Sequence, residues 1–296
     1  MIKGYDTRMN NADTDFRRIP FNVTQRTNER FDGFSVRDCD AENAINRMTN
    51  LSKGLEYKIY NFIINLKKDL QILNLTDAFD ALYLMCLDTQ VNSFINLAQN
   101  QYDITTGGAG TTFTAFQGFR GNGTSSYLST NFTPSTSTNA NFTRNDAIGG
   151  VYVSQRGTVT SFDLLFGVQT ASPNAIFYLY NRNFQSTYRF GANTTLANEL
   201  TSSAVTPLVG LCAVSRTNST TSQLTINGGV FFGQNAAVAS AALPSAPITI
   251  CGAPSPLSSF GNDLITFAFI GAASRIDVKL LNKRVVEFMQ SLALNA

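Results

Sequence analysis

Histidine and tryptophan are both absent from this 296-residue chain, and each absence removes a class of function. Without histidine there is no Ser-His-Asp or Cys-His relay and no imidazole ligand for zinc. Without tryptophan, no sugar can stack on an indole face. The cysteines Cys39, Cys86, Cys212 and Cys251 lie far apart with no Cys-x-x-Cys spacing, so four reduced thiols are expected rather than a metal site or a disulfide framework. Charge is scarce as well, at 14% of residues and a net +2, with the arginines scattered. Nothing resembles the basic stripe that neutralises phosphates, so nucleic acid is not an expected partner. No apolar run approaches the ~20 residues that span a bilayer, and the first forty residues lack the apolar core of a secretory signal. Synthesis in the cytoplasm is therefore expected, and the eight Asn-x-Ser/Thr triplets read as products of an Asn-, Ser- and Thr-rich composition.

What is present divides into three parts. Residues 1–38 mix charges of both signs with single aromatics and have no period that sustains a core. They read as an extended arm whose Tyr5, Phe16, Arg17, Arg18, Phe21, Phe31 and Phe34 dock on a partner. Residues 39–104 carry helical stripes. Asp40 is placed to cap a helix over Ala41–Thr49, and Ser52 to cap a longer one with Leu55, Ile59, Phe62, Ile63, Leu66 and Leu70 on one face. Thr76 begins a third predicted helix with Phe79, Leu82, Tyr83 and Cys86, and Val91, Phe94, Ile95 and Ala98 suggest a fourth.

Residues 105–296 change character. Only six of the 22 basic and four of the 20 acidic side chains fall within 104–274, a stretch rich in Thr, Ser, Asn, Gly and Phe. After a glycine linker at Gly107, Gly108 and Gly110, strands are predicted at about 112–119, 125–132, 149–155, 158–169, 174–181, 185–190, 208–216, 221–226, 229–233, 247–252 and 264–271. Asn227-Gly228 marks the clearest hairpin, because those residues accept the positive φ angles of a primed turn. A closing helix is predicted over 274–293, capped by Ser274, with Ile276, Leu280, Leu281, Val285, Phe288 and Leu292 along one stripe. The fold class is mainly β: an antiparallel sandwich preceded by a small helical domain and an arm, and followed by a helix.

The run Gly118-Phe119-Arg120-Gly121-Asn122-Gly123-Thr124-Ser125-Ser126-Tyr127-Leu128, with Asn131-Phe132 after it, reads as strand, turn, strand. It resembles the start of the lectin-like, concanavalin A-like jelly-roll domains of tailed-bacteriophage virion proteins. Ile63-Ile64-Asn65-Leu66-Lys67, Asp80-Ala81-Leu82-Tyr83-Leu84 and Phe267-Ala268-Phe269-Ile270-Gly271 are similar to the same group. The chain departs from that group's Gly-Leu/Ile-Trp element, having Leu73-Asn74-Leu75-Thr76-Asp77 in its place. The resemblance implies a virion protein held by its arm to other virion proteins, with the sandwich facing outward toward host-surface glycan as a tail, fibre or head-fibre component. The alternative it leaves is a decoration or cement protein of capsid, neck or tail with no ligand of its own. Homo-oligomers are expected in either setting.

Glycan cleavage needs two carboxylates about 5 to 9.5 Å apart, and the central region offers only Asp146, Asp163, Glu199 and Asp263. None forms a Glu-x-Asp-x-x-Glu strand, so an enzyme is not expected. Asp163 reads as a strand-face aspartate or turn partner, with a buried, proton-holding acid as the alternative. Gly261-Asn262-Asp263 is foremost a turn signal, with a calcium ligand as the lesser reading, so no metal or cofactor is expected. Sugar binding suits the composition better. Tyr178 and Tyr180 share a strand face, and Asn181, Arg182, Asn183 and Arg189 follow closely. Those six residues are the predicted ligand site, against the alternative of tyrosines lying over a core.

Overall fold

The computed structural model describes residues 38–158, 163–181, 187–203, 209–234 and 238–293. The predicted docking arm lies outside them, as do Arg182 and Asn183. The described residues belong to one compact unit.

Two antiparallel sheets face each other. Sheet A contains β1 (Phe79–Leu84), β3 (Thr112–Thr114), β4 (Gly118–Arg120), β6 (Ala147–Gln155), β11 (Gly210–Arg216), β12 (Ser222–Ile226), β13 (Gly229–Gln234) and β17 (Leu264–Gly271). Its order is β13-β12-β11-β6-β17-β4-β3, with β1 pairing the far end of β17. Sheet B contains β2 (Thr105–Gly107), β5 (Tyr127–Ser129), β7 (Leu164–Thr170), β8 (Ala175–Tyr180), β9 (Thr187–Thr194), β10 (Leu200–Ser203) and β14 (Thr249–Ile250), in the order β10-β9-β8-β7-β14-β5-β2. A small ribbon pairs β15 (Gly252–Ala253) with β16 (Ser259–Phe260). The jelly-roll sandwich expected from the sequence is the fold.

Strand alternation sorts the side chains. Phe166, Phe177, Leu179, Val151, Val153 and Ile265 point between the sheets into the main core. On the opposite face of sheet A, Ile148, Leu211, Phe267 and Phe269 meet three helices, α1 (Cys39–Asn46), α2 (Lys53–Leu70) and α4 (Val278–Ala293). The edge of the Phe62 ring on α2 meets Phe288 of α4 at 5.5 Å and Phe267 of the sheet at 6.3 Å. Arg284 clamps Asp69 through two hydrogen bonds of 2.7 and 2.8 Å.

The helix stripes over 53–70 and 278–293 follow the predicted spacing, and Ser52 caps the first by accepting from Leu55 N–H at 3.2 Å. Two other caps differ. Asp38 rather than Asp40 accepts from Ala41, because the helix begins at Cys39 and Asp40, inside its first turn, binds Lys67 and the Leu75 N–H. Ser274 is held by Asp146, so the closing helix begins later, with Asp277 accepting from Lys279 and Leu280.

The third predicted helix is a strand. β1 runs antiparallel to β17, placing Ala81 and Tyr83 in the inter-sheet core and Phe79, Leu82 and Leu84 against the helices. A strand buried on both faces is apolar at nearly every position, so its periodicity mimics a buried helix. Its one charge, Asp80, accepts the N–H groups of Asn141 and Phe142, both at 2.8 Å, while burial pushes its carboxyl up to about 6. The fourth predicted helix shrinks to one turn, α3 (Gln90–Ser93). The segment 39–104 therefore shares its core with the sandwich and contributes strand β1 to sheet A.

Gly107, predicted in a linker, ends β2. The strands flanking the Gly121–Ser126 turn belong to opposite sheets, so the motif carries the chain across the sandwich instead of forming a hairpin. Asn227 and Gly228 do form the predicted primed turn, with φ of 52° and 82°.

Phe267→Ala removes the ring that joins sheet to helices. It is expected to cost about 3–5 kcal/mol, lowering the thermal midpoint by roughly 10 °C. Leu73→Ala, at a site 84% exposed, is expected to change stability by less than about 0.5 kcal/mol. Comparable midpoints for the two variants in calorimetry would refute this account of the helix layer.

Candidate functional site

The outer face of sheet B carries the candidate site. Ile176, Tyr178 and Tyr180 alternate outward from β8 and join Leu164 and Ala253 in a small cluster closed by Leu257. The two tyrosines share a face, as predicted, but the segment around β15 and β16 covers them, leaving Tyr178 1% and Tyr180 5% exposed. Their rings meet edge to face at 4.9 Å.

Arg189 on β9 is paired beside Tyr180. Its guanidinium lies 5.9 Å from the Tyr180 ring centre and donates Nε–H to Glu199 Oε1 at 2.5 Å. The Tyr178 hydroxyl donates to the other oxygen of Glu199. Burial raises the Tyr178 phenol far above its ordinary range, and the Glu199 charge adds to the effect, so Tyr178 is a fixed neutral donor. Burial likewise raises Tyr180, against a hydrogen bond with Ser259. For Arg189, burial opposes the charge, but the Glu199 carboxylate outweighs it and holds the guanidinium above its ordinary value.

Beside this set opens a cleft of about 290 Å³. Arg189, Tyr180, Gln169 and Ser259 give it polar walls, and Leu196, Pro256 and Leu257 give it apolar ones. The Arg189 side chain is 31% exposed there, against 8% for Glu199. The groups beyond the predicted set come from distant segments. Only Glu199 carried a signal in the sequence, as one of four carboxylates in a charge-poor region.

Asn181 does not join the cleft. It is fully buried and donates Nδ2–H to Asp263 Oδ2 at 2.9 Å. Asp263 also accepts from the Gly157 N–H at 2.7 Å and pairs with Arg156. The Arg156 guanidinium is thus the charge partner of Asp263. Asp163, read first as a strand-face or turn aspartate, is fully buried, with neither carboxylate oxygen hydrogen-bonded and Arg156 Nη2 3.8 Å away. Burial and the Asp263 charge push it up to about 7, against the pull of Arg156. Two carboxylates share one guanidinium, and a proton makes up the difference. Asp146 sits apart, holding Ser274.

The buried thiols carry no nucleophile. Burial pushes Cys86 and Cys251 up to about 12 and Cys212 higher still, far from thiolate chemistry.

A group whose folded pKa is raised binds a proton that the unfolded chain releases, so Asp163 lowers stability as pH climbs from about 4 to about 7, and the loss is complete above that. Asp163→Asn stays neutral throughout. Its thermal midpoint is expected to match the parent below about pH 4 and to exceed it by several degrees at pH 8. An equal offset at both pH values would contradict the raised Asp163 carboxyl.

No protein-family model matches the sequence, and no curated protein matches it. Solved structures do match. The Trypanosoma rangeli sialidase in complex with 2,3-difluorosialic acid is 10% identical with a TM-score of 0.51, over 78% of this chain and 39% of that one. The receptor binding domain of botulinum neurotoxin D is 8% identical with a TM-score of 0.50, over 72% of this chain and 54% of that one. Domain 4 of AbnA, an arabinanase from Geobacillus stearothermophilus, in complex with arabinotriose, is 16% identical with a TM-score of 0.47, over 69% of this chain and 98% of that one. This chain thus spans about half the length of the botulinum domain. The first two likenesses show the fold of the chain, an antiparallel β-sandwich.

Proposed function

We propose that the chain is a carbohydrate-binding protein that holds a glycan in the cleft beside Arg189. The observation that carries this reading is the convergence of a guanidinium, tyrosine and serine hydroxyls and a glutamine amide with apolar walls in a single cleft. Sugars present hydroxyls at their rims and C–H faces in their planes, and such a site matches both. Arg189 is oriented before any ligand arrives, because Glu199 fixes it and Tyr178 fixes Glu199. The fold shared with a receptor binding domain and part of a sialidase chain is compatible with this role and contributes nothing more specific.

In this reading the glycan is bound and not cleaved. Glu199 is committed to Arg189 and Tyr178, and Asp263 to Arg156 and Asn181. Among the described residues no carboxylate lines the cleft, and Glu199 lies behind Arg189. The setting we propose, the surface of a tailed-bacteriophage particle, rests on the motif resemblance in the sequence. The burial of Tyr178 and Tyr180 and the mutual pairing of Arg189 and Glu199 favour a second reading, a purely structural cover on such a particle.

A glycan array separates the two. Wild-type protein is expected to be retained on a subset of glycans, and Arg189→Gln to lose at least about tenfold in affinity, with its circular dichroism spectrum unchanged. Absence of retention on every glycan, with the protein still built into particles, would establish the structural cover.

A further inference from the structure

A second, smaller cavity of about 130 Å³ lies apart from the Arg189 cleft, and the two share only Gln169 in their linings. It is lined by the buried Val168 and Ala253, the half-buried Tyr127 and Ala246, and the exposed Pro247 and Pro254. The Tyr127 wall is set by its neighbour. Tyr127 on β5 pairs with Gly107 on β2, and a Cβ on that glycine would lie 2.2 Å from the ring. Only bare backbone lets an aromatic ring approach so closely, so the ring is seated on β2.

The polar groups of the cavity fall into two kinds. The Ser129 hydroxyl donates to Asn131 Oδ1 at 3.1 Å and accepts from the Asn131 N–H at 3.2 Å, and the Thr249 hydroxyl donates to the Gly167 carbonyl at 2.9 Å. Those two are already engaged. The side-chain amide of Gln169 has no hydrogen-bond partner among the described residues. A primary amide both donates and accepts, so Gln169 can meet either the carbonyl or the N–H of an amide on a ligand.

Size limits the guest. At about 30 Å³ per water the cavity has room for roughly four waters, enough for a substituent of a few heavy atoms and too little for a whole hexose ring. A hydroxyl among these apolar walls would forfeit hydrogen bonds to water, whereas a methyl group gains by leaving water. An apolar recess with one uncommitted amide at its side therefore fits a methyl group joined to an amide.

We infer that this cavity is a second, separate sugar subsite that takes the acetamido group of an N-acetylated sugar. The methyl packs among Val168, Ala253 and the two prolines, the amide meets Gln169, and the sugar ring stays at the rim beside Tyr127, whose ring can pack on its C–H face. The choice of a sugar as carrier rests on the glycan reading above; the cavity itself does not depend on the Arg189 cleft.

The test titrates the full chain with N-acetylglucosamine and N-acetylgalactosamine, with glucose, galactose and glucosamine as partners lacking the acetamide, and with Nε-acetyl-lysine, all read by saturation-transfer NMR. The acetylated sugars are expected to bind at least about tenfold more tightly than their partners, with the acetyl methyl protons receiving the strongest saturation. Ala246→Leu, which fills the cavity from a position outside the cleft, should erase that preference, and Tyr127→Ala should weaken it, both with unchanged circular dichroism spectra. Arg189→Gln should leave it intact. Equal binding of N-acetylglucosamine and glucose, a preference that survives Ala246→Leu, or tighter binding of Nε-acetyl-lysine than of either acetylated sugar would overturn the subsite. A preference lost in Arg189→Gln and kept in Ala246→Leu would also overturn it, by placing the acetamido group in the cleft. All of these results leave the Arg189 reading standing, because retention on the glycan array decides that reading separately.

Discussion

Strand β17 has no side that faces solvent, and every residue from Leu264 to Gly271 is buried. Ile265, Ala268 and Ile270 point into the space between the sheets, while Phe267 and Phe269 point outward to the helices. Its backbone is paired with β6 along one edge and with β4 and β1 in turn along the other. A strand in that position requires a layer over each face, since an outward phenylalanine pair left in water would forgo the main free-energy gain of folding. The helices are that layer. Their stripes are apolar because Phe267 and Phe269 lie beneath them, and the closing helix follows directly from the end of this strand.

The other face of the molecule is managed differently. Among the described residues no helix lies over sheet B, and its outer surface is covered in part by the ribbon of β15 and β16 around Tyr178 and Tyr180. The half-buried remainder includes Arg189, Gln169 and Ser129, all polar. One sheet face is thus sealed by apolar packing, and the opposite one keeps a cleft. The candidate site lies where the fold has the least apolar area to hide.

Charge inside the molecule comes in closed sets that join segments far apart in sequence. Lys67 binds Asp38 and Asp40 at 2.7 Å, tying the start of α1 to α2. Arg216, fully buried, donates to the carbonyls of Ala192, Asn218 and Val238, and burial lowers its guanidinium to about 10. Arg156 serves Asp263 and faces Asp163, and Asn181 ties the end of β8 to the same group. Removing one member strands a desolvated partner, so each set selects one arrangement of its loops more than it adds stability. The cluster at Asp163 lies directly behind the strand ends that carry Tyr180.

Local pattern alone determined a good deal. The Ser52 cap and its apolar stripe, the Asn227-Gly228 turn, the full span of β17 and the shared face of Tyr178 and Tyr180 are all set by neighbours within a few residues. Tertiary structure decided the rest. Phe79–Leu84 became a strand because burial on both faces erased the period that separates strand from helix. Asn181, next after the outward-facing Tyr180, points to the opposite side and donates to Asp263, the buried carboxylate that also holds Arg156 and the Gly157 N–H. Ser259 and Gln169 entered the site from strands, and Glu199 from the turn before β10, segments that only the tertiary fold brings together. Pairing between strands distant in sequence leaves no mark on either strand by itself, so the cleft belongs to the fold.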